Sequence, residues 1–560
     1  MKKKWWQEAV FYQIYCKSFC DTNGDGIGDL KGVMQKLPQL KELGIDCIWF
    51  NPIYKSPQVD NGYDISDYQD IDPAYGTLEE FKQLLDMAHS MGIRVIMDLV
   101  LHHTSDEHKW FQESRKSKDN PYRNYYFWRP AKENGKEPNN WGNYFYEGKG
   151  SAWEWDETTQ EYYMHNYSYK MPDLNWDYEP LRQDMYKMMN WWLELGIDGF
   201  RLDAINRIKK PEGLPDTTKP PTPPVSIYGY VVDRTVCVNI PGIHELLQEI
   251  NKNAWGKHDA VTIGETGNVT YETAHDYICQ DNEEIDMVFH FEVGKNPNKL
   301  SAVDYKNIQK NWYSTMVRNS WLTQFMTNHD SARQVSWFGN DQEYRVESAK
   351  LLATLNHTVP GTPFVYQGEE IGMTNVCFDN IEDYNECYIK GKYQTMMEAG
   401  VSPQEALDKL RPTSRDNART PYQWDATENA GFTTGKPWIK VNPRYTEINY
   451  EADRASKDSI FDYYKKVIAM RKEHPAIVDG DFNVLLDDHP QMVIYTRSCA
   501  REKLLVIGNF TNDTVDVVLP EEITSHKWNR ILTNYEGTEP SIEGRKQWKP
   551  WEAEIYTLAR

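Results

Sequence analysis

One local pattern occurs three times in this chain and limits the folds that it can adopt. Each copy is a helix-compatible segment, then a glycine, then a short apolar run: 40–50 (LKELGIDCIWF), 88–98 (AHSMGIRVIMD) and 192–203 (WLELGIDGFRLD). A glycine at this place supplies the left-handed backbone that ends many helices, and the apolar run after it favours a buried strand. The pattern predicts repeated helix-to-strand connections, which are typical of a parallel sheet.

The same signals extend along most of the chain. The predicted strands are 8–15, 45–50, 93–101, 197–203, 260–265, 285–290, 322–327 and 362–367. Helices such as 244–254 and 342–356 are predicted between them. Eight strand–helix units over roughly 400 residues predict an α/β fold, a parallel (β/α)8 TIM barrel with insertions. An open doubly wound sheet is disfavoured, because no glycine-rich phosphate loop follows the first strand.

One predicted connection is far too long for an ordinary barrel loop. Residues 104–177 follow the third strand and are rich in tryptophan, and loops of this length are usually functional. We expect a small inserted domain over the barrel's C-terminal face, a Pro-rich loop at 209–242 and a mixed insertion at 374–430. Alternating strands near the C-terminus predict an antiparallel β-sandwich. The predicted division is a barrel at 1–103 and 178–478, an inserted domain at 104–177 and a C-terminal sandwich at 479–560.

The composition excludes several classes of partner. Asp and Glu outnumber Lys and Arg by 84 to 62, a net charge of −22, so the chain lacks the positive surplus that nucleic acids or anionic membranes require. No apolar run is long enough to span a bilayer. The lysine-rich start is followed by Trp5, Trp6, Gln7 and Glu8, where a signal peptide would have an apolar segment, so no signal peptide is expected. The eight cysteines are scattered along the chain without the spacing of a metal site, which is typical of reduced thiols. We expect a cytoplasmic enzyme with neither nucleic acid nor membrane as partner; the oligomeric state is open, with a monomer favoured.

Carboxylates follow the predicted strands at the end where barrel enzymes place their chemistry. Asp203 ends the fourth strand, Glu265 ends the fifth and Asp330 follows the seventh. Any one of them would more often be a salt-bridged or capping residue, but three at the ends of separate strands predict a common site. Crowded carboxylates shift each other's pKa, and one ionised plus one protonated carboxyl is what retaining glycoside hydrolysis needs. Arg201 lies two residues before Asp203, on the same side of the strand, and is expected to keep Asp203 ionised.

A loop near the start has the spacing of a calcium site. Side-chain oxygens stand at positions 1, 3, 5 and 9, with a glycine at 6 and a backbone carbonyl at 7. The predicted ligands are Asp21, Asn23, Asp25, the carbonyl of Ile27, and Asp29. Position 12 is Gly32 and not glutamate, so the loop is not an EF-hand. We expect a structural Ca²⁺ ion, with Mg²⁺ as the alternative; an Asx-rich turn without an ion is the competing interpretation.

The motifs of the chain resemble those of α-glucosidases of the α-amylase superfamily, glycoside hydrolase family 13, of the oligo-1,6-glucosidase type. The resemblance covers nearly the whole chain. The motifs that carry it are 98–108 (DLVLHHTSDEH), 199–205 (GFRLDAI), 263–266 (IGET), 327–330 (TNHD), 61–68 (NGYDISDY), 366–373 (YQGEEIGM) and 414–421 (SRDNARTP).

The resemblance implies a role for each matching residue. Asp203 would be the nucleophile, Glu265 the general acid/base and Asp330 the carboxylate that binds the 2- and 3-hydroxyls of the sugar. Ligands of the terminal glucose would be His103, Arg201 and His329, with Tyr63 as the ring on which the glucose stacks. Asp60 and Arg415 would close the pocket at the non-reducing end, which implies exo-action on a small oligosaccharide and no organic cofactor. Aromatic residues make up 13% of the chain, and we expect Phe145 and Tyr167 to face the sugar as well.

Three positions depart from the family pattern. Met171 stands where close relatives have glutamine, and Ser331-Ala-Arg replaces their Gln-Pro-Arg. Both changes lie at the mouth of the expected pocket and bear on the preference for the leaving group. Ala204 follows the nucleophile, where valine accompanies preference for 1,6-linkages. We infer a lean toward 1,4-linked or mixed substrates, although Ala204 as a packing residue alone is an equal alternative.

Two other functions compete with hydrolysis. A sucrose isomerase or trehalose synthase would use the same residues but exclude water; it is disfavoured because the arginine-rich loop of isomaltulose-forming relatives is absent after the seventh strand. A catalytically inactive transporter subunit would have lost the carboxylates and gained a membrane helix, whereas this chain keeps Asp203, Glu265 and Asp330.

Overall fold

The computed structural model describes residues 3–221, 226–293, 300–316, 319–538, 540, 542 and 545–559. The first two residues and part of the Pro-rich stretch 209–242, namely 222–225, lie outside this range. The strands are β1 (Phe11–Ile14), β2 (Cys47–Phe50), β3 (Tyr54–Lys55), β4 (Asp67–Ile71), β5 (Arg94–Val100), β6 (Trp128–Arg129), β7 (Trp153–Asp156), β8 (Glu161–Met164), β9 (Gly199–Asp203), β10 (Val261–Glu265), β11 (Met287–Phe289), β12 (Thr323–Gln324), β13 (Thr362–Tyr366), β14 (Asp481–Leu485), β15 (Met492–Ser498), β16 (Glu502–Asn509), β17 (Val515–Val518), β18 (Asn529–Thr533), β19 (Arg545–Trp548) and β20 (Ala553–Ala559). The helices are α1 (Trp5–Glu8), α2 (Leu30–Leu43), α3 (Leu78–Ser90), α4 (Lys109–Ser114), α5 (Glu179–Leu195), α6 (Ile243–Asn253), α7 (Tyr271–Ile278), α8 (Ala302–Met316), α9 (Gln334–Trp337), α10 (Arg345–Thr358), α11 (Cys387–Glu398), α12 (Pro403–Leu410), α13 (Asp416–Arg419), α14 (Tyr450–Ala455), α15 (Ile460–Glu473), α16 (Pro475–Asp479) and α17 (Glu521–Thr524).

Eight parallel strands form the central sheet, in the order β11-β10-β9-β5-β2-β1-β13-β12. This order runs almost completely around a barrel, so the predicted TIM-barrel class is confirmed, and each of the eight predicted strands contributes. The observed strands are shorter than predicted: the first begins at Phe11 because α1 occupies Trp5–Glu8, and the seventh is only Thr323–Gln324.

The glycines of the repeated pattern have the predicted left-handed backbone. The φ angle is +101° at Gly44, +69° at Gly92 and +112° at Gly196. A capping box forms at the start of α3: the Thr77 hydroxyl accepts from Glu80 N–H, and the Glu80 carboxylate accepts from Thr77 N–H. These local signals therefore set where each helix begins or ends and where the next strand starts.

Alternation along the strands fills the barrel interior with side chains. The buried side chains that face the barrel interior include Phe11, Trp49, Ile96, Ile263 and Phe364. Side chains two residues apart on a strand share a face. Asp98 and Glu265 therefore continue the inward face that Ile96 and Ile263 begin, which places polar groups on the barrel axis at the C-terminal end.

Two further sheets accompany the barrel. An antiparallel sheet of β6, β8 and β7 lies between the third barrel strand and α5, within the predicted inserted domain. A five-stranded antiparallel sheet, β14-β15-β16-β20-β18, and the β17-β19 pair form the C-terminal sandwich with a separate apolar core. The domain limits themselves stay a prediction. Among the described residues, none of the helices has the length and apolar character needed to cross a membrane.

Candidate active site

A cavity of about 280 Å³ opens at the C-terminal end of the barrel strands. Most of the residues that the sequence singled out line it: Asp60, Tyr63, His103, Phe145, Tyr167, Asp203, Glu265, Asp330 and Arg415. Arg201 and His329 lie directly behind this wall and bond to residues that form it. The structure thus brings every predicted catalytic and substrate-binding residue to one place.

Arg201 is the hub of this cluster. Its Nη1 donates to both oxygens of Asp98, at 2.7 and 2.9 Å, and to Asp203 Oδ1 at 2.9 Å, while Nη2 donates to Glu265 Oε2. The guanidinium is almost fully buried. The carboxylates of Asp203 and Glu265 thus share one guanidinium, which holds them close to each other.

Burial and the charges of two neighbouring groups act on the carboxyl of Asp203. Burial raises the pKa of Asp203 well above its usual value, the neighbouring Glu265 raises it further, and Arg201 opposes both. The sequence-based expectation that Arg201 alone keeps Asp203 ionised is therefore too simple. Asp203 lies deeper than Glu265, whose side chain is 26% exposed, so desolvation acts more strongly on Asp203.

Asp330 has the opposite electrostatics. Arg419 Nη2 donates to Asp330 Oδ1 at 2.5 Å, and Arg415 Nη1 lies 3.4 Å from the same oxygen. Burial by itself would raise the pKa of Asp330, but His329, Arg415 and Arg419 together lower it well below its usual range. Asp330 is thus a permanently ionised acceptor beside the cavity.

A hydrogen-bonded chain orients Tyr63 in the cavity wall. Gln13 Nε2 donates to His329 Nδ1 at 2.7 Å, which leaves His329 Nε2 to donate to the Tyr63 hydroxyl at 2.7 Å. The hydroxyl in turn donates to Asp98 at 3.0 Å. Burial lowers the pKa of His329 to about 3, and that of His103 likewise to about 3, so both imidazoles are neutral hydrogen-bonding groups at ordinary pH.

The cavity is closed at one end by an ion pair. Arg415 Nη2 lies 3.5 Å from Asp60 Oδ1, and Arg415 Nε donates to Glu386 at 2.7 Å. Burial raises the pKa of Asp60 to about 7, against the lowering effect of Arg415 and Arg419. A sugar chain therefore cannot continue past this end of the cavity.

The inserted segment supplies the aromatic rim. Phe145 and Tyr167 contact each other at a ring-centroid distance of 5.4 Å, and the Arg415 guanidinium lies 5.6 Å from the Phe145 ring. Met171, which replaces the relatives' glutamine, is fully buried and lines the cavity. Its thioether presents a weak acceptor where an amide would offer two N–H donors.

Sequence reasoning missed several functional residues. Asp98 anchors Arg201, Glu386 anchors Arg415, and Arg419 binds Asp330. The sequence does contain a signal for two of them: Asp98 is an acidic residue within the third predicted strand, and Arg419 is the second arginine of the 414–421 motif. Glu386 and the cavity-lining Arg207 and Arg234 stand in connecting loops or at helix ends that carry no pattern of their own.

In the predicted calcium loop, side-chain oxygens accept hydrogen bonds from backbone N–H groups of the same segment. Asp21 accepts N–H bonds from Asn23, Gly24 and Gly26, and Asp29 caps α2 by accepting from Gly32 N–H at 2.7 Å. In the described part of the chain, no three Asp, Glu, His or Cys side chains gather with metal-binding spacing. The oxygen-only donor set suits a hard cation, but an ion here would need the Asn23 amide and the Ile27 carbonyl beside the carboxylates.

Comparisons with known proteins agree with this geometry. The family model "Alpha amylase, catalytic domain" matches residues 13–480. The chain is 48% identical to an oligo-1,6-glucosidase of Parageobacillus thermoglucosidasius over 100% of both chains. Among solved structures, a trehalose-6-phosphate hydrolase of Bacillus licheniformis matches at 43% identity with a TM-score of 0.91, over 100% of both chains. An isomaltulose synthase of Erwinia rhapontici matches at 38% identity with a TM-score of 0.93, again over 100% of both. The chain belongs to the α-amylase family of glycoside hydrolases.

Proposed function

We propose that the protein is a retaining, exo-acting α-glucosidase that releases glucose from the non-reducing end of short α-glucosides. The observation that carries the proposal is the pair of carboxylates, Asp203 and Glu265, bonded to one buried guanidinium inside a cavity closed by Asp60 and Arg415. Relatives named oligo-1,6-glucosidase, at 46–48% identity over 99–100% of this chain, support it.

In the first half of the reaction, Asp203 attacks the anomeric carbon of the terminal glucose. The bond from this carbon to the leaving oxygen breaks, and Glu265 gives its proton to that oxygen. A leaving sugar seated over Glu265 would bury its carboxyl and favour the neutral form, which can donate.

In the second half, water replaces the departed sugar. Glu265, now ionised, takes a proton from the water, whose oxygen attacks the anomeric carbon. The bond from this carbon to Asp203 breaks, which restores the Asp203 carboxylate and releases glucose with its original anomeric configuration. Asp330 and the neutral His103 and His329 hold the sugar hydroxyls. Because Asp330 stays ionised, its hydrogen bonds can strengthen as positive charge develops on the sugar ring.

The linkage preference rests on Ala204. This residue is buried and has a left-handed backbone, with φ +43° and ψ +36°, directly after the nucleophile. A β-branched side chain is disfavoured in that conformation, so alanine fits the turn and leaves room beside the leaving sugar. We propose action on α-1,4 linkages, as in maltose, and on α-1,6 linkages, as in isomaltose and isomalto-oligosaccharides. Sucrose, in which glucose is joined to fructose by an α-1,2 linkage, is proposed as a further substrate.

Product analysis tests the proposal. Purified enzyme is incubated with maltose, isomaltose, sucrose and panose, and the products are followed by chromatography and by NMR of the first glucose anomer released. We expect free α-glucose from the non-reducing end. An isomeric disaccharide without free glucose from sucrose would instead establish the isomerase alternative, and release of β-glucose would exclude retention.

Two further expectations belong to this proposal. We propose that the loop 21–29 binds a structural Ca²⁺, or Mg²⁺ in its place, because five oxygen donors follow one another at calcium-loop spacing. We also propose a cytoplasmic location, which the buried free thiols of Cys16, Cys20 and Cys47 favour. Elemental analysis and cell fractionation test the two separately.

A further inference from the structure

Three cationic side chains beside the cavity form no ion pair with any acidic side chain that the structure describes. Arg207 and Arg234 line the cavity, and Lys392 lies against Tyr388, which also lines it. Arg207 Nη1 donates to the Arg234 carbonyl at 2.6 Å and contacts the Tyr144 hydroxyl at 3.4 Å. Arg234 Nη2 donates to the Tyr144 carbonyl at 3.1 Å. Within the described ranges, no carboxylate forms an ion pair with any of the three.

Tyrosine rings hold these charges in position. The Arg234 guanidinium lies 5.1 Å from the Tyr144 ring and 5.4 Å from the Tyr388 ring. Arg207 lies 5.5 Å from the Tyr144 ring, and Lys392 Nζ lies 4.6 Å from the Tyr388 ring. Aromatic faces stabilise cations without neutralising them, so the positive potential of this cluster remains directed at the cavity.

Nearby acids are engaged elsewhere. Asp233, next to Arg234 in the chain, pairs with Lys219 at 3.3 Å, and the buried Asp173 pairs with Lys210 at 3.0 Å. The acids of the reaction centre, Asp203 and Glu265, pair with Arg201, and Glu265 also attracts Arg207 without forming an ion pair with it. In a chain of net charge −22, three clustered cations that form no ion pair among the described residues favour a negatively charged ligand at this place.

The cluster lies on the leaving-group side of the reaction centre. Arg207 Nη2 is 2.8 Å from the point that a Cβ on Gly267 would occupy, two residues after Glu265. The glucose end of the cavity is defined by Asp60, Asp330 and Arg415. Because Glu265 donates its proton to the leaving oxygen, whatever lies beyond Glu265 contacts the leaving sugar.

We propose that this side of the cavity accepts α-glucosides whose leaving sugar carries a phosphate monoester. This inference rests on the proposed α-glucosidase function. Planar guanidinium groups bind phosphate oxygens in pairs, and Lys392 adds a point charge at the entrance. The phosphate ester is not broken: only the bond from the anomeric carbon to the leaving oxygen is hydrolysed, and the phosphorylated sugar leaves intact.

The test compares phosphorylated and neutral substrates on the full-length enzyme. Initial rates are measured for trehalose 6-phosphate against trehalose, and for maltose phosphorylated on its reducing sugar against maltose. We expect kcat/KM to be about tenfold or more higher for each phosphorylated member, and the ratio to shrink in about 0.5 M salt, which screens the attraction. Inhibition by glucose 6-phosphate should likewise be stronger than inhibition by glucose.

Single-charge variants locate the effect. Arg207→Gln and Arg234→Gln should each lower the phosphorylated-to-neutral ratio by about tenfold, and Lys392→Gln should lower it less. Lys390→Gln removes the same charge from an exposed position of the same helix and should leave the ratio unchanged. Thermal melting identifies any variant that fails to fold. If the two arginine variants fail to fold, Lys392→Gln, at a partly exposed position, still tests the proposal.

The outcomes separate this inference from the function on which it rests. If the enzyme hydrolyses maltose but shows no preference for the phosphorylated substrates, or if both arginine variants keep the wild-type ratio, the phosphate proposal is wrong and the α-glucosidase proposal stands. If the enzyme cleaves no α-glucoside at all, both are wrong.

Discussion

Arg201 and Asp98 form a two-point ion pair at the base of the cavity, with Nη1 at 2.7 and 2.9 Å from the two carboxylate oxygens. Both side chains are buried, and Asp98 also accepts from the Tyr63 hydroxyl and from Trp49 Nε1. Arg201 in turn holds Asp203 and Glu265. The geometry of the two reacting carboxylates therefore depends on a third carboxylate that the proposed mechanism never uses chemically.

Replacement of this anchor tests that dependence. Asp98→Asn removes the charge that fixes Arg201 and should lower kcat by about 100-fold, because a small displacement of reacting groups is costly. Steady-state kinetics give the value, and circular dichroism with thermal melting checks the fold. An unchanged kcat in a folded variant would show that Arg201 is positioned without Asp98.

The two reacting carboxylates should respond differently to substitution. Asp203→Asn should lower kcat by roughly five orders of magnitude for every substrate, because no covalent intermediate forms. Glu265→Gln should lose most activity on maltose but keep more on an aryl glucoside whose leaving group needs no proton. Equal losses on both substrates would contradict the assignment of Glu265 as the acid.

Glu369 offers a test of stability against pH outside the cavity. Burial raises its pKa to about 8 from 4.5, in spite of the bond from the Thr327 hydroxyl at 2.5 Å. Between these pH values the folded protein keeps a proton that the unfolded chain has released, so stability falls as pH rises. Glu369→Gln does not titrate, and its stability relative to wild type should increase across this window by a few kcal/mol, at about 1.4 kcal/mol per pKa unit. Melting temperatures at pH 5 and pH 8 measure this; a constant difference would refute it.

Ala204 links backbone strain to linkage preference. Ala204→Val should raise the isomaltose-to-maltose ratio of kcat/KM by roughly tenfold, by crowding the leaving sugar. It should also lower the melting temperature, because a β-branched residue is strained at φ +43°. Ala204→Ser, similar in size to alanine, is the control and should leave the ratio near the wild-type value. A valine variant with the wild-type ratio would make Ala204 a packing residue only.

Metal removal tests the loop at 21–29. Dialysis against a chelator should lower the melting temperature, and added Ca²⁺ should restore it, because an ion bound only by the folded state stabilises that state. Asp21→Asn should weaken the response to Ca²⁺. An unchanged melting temperature in wild type, with no metal by elemental analysis, would leave an Asx-rich turn as the correct interpretation.

Sequence patterns predicted more of the fold than of the site's electrostatics. Glycine-terminated helices and alternating strands are local, so Gly44, Gly196 and the eight strands were predictable, whereas the ends of the short strand Thr323–Gln324 depend on its neighbours. The cavity residues Asp203, Glu265 and Asp330 were found because strand ends converge in a barrel. The upward shift of the Asp203 pKa could not be predicted from the sequence. Depth of burial and the partners of Arg201 follow from packing that no local pattern encodes.

The Arg201 hub also bears on how the barrel assembles. Asp98 belongs to β5, Arg201 and Asp203 to β9, and Glu265 to β10, three strands that are neighbours in the sheet. A slip of one residue between any two of them would turn a carboxylate away from the guanidinium. Recovery of enzymatic activity during refolding should therefore report correct strand register. Chains with normal helical content but misaligned strands should be inactive.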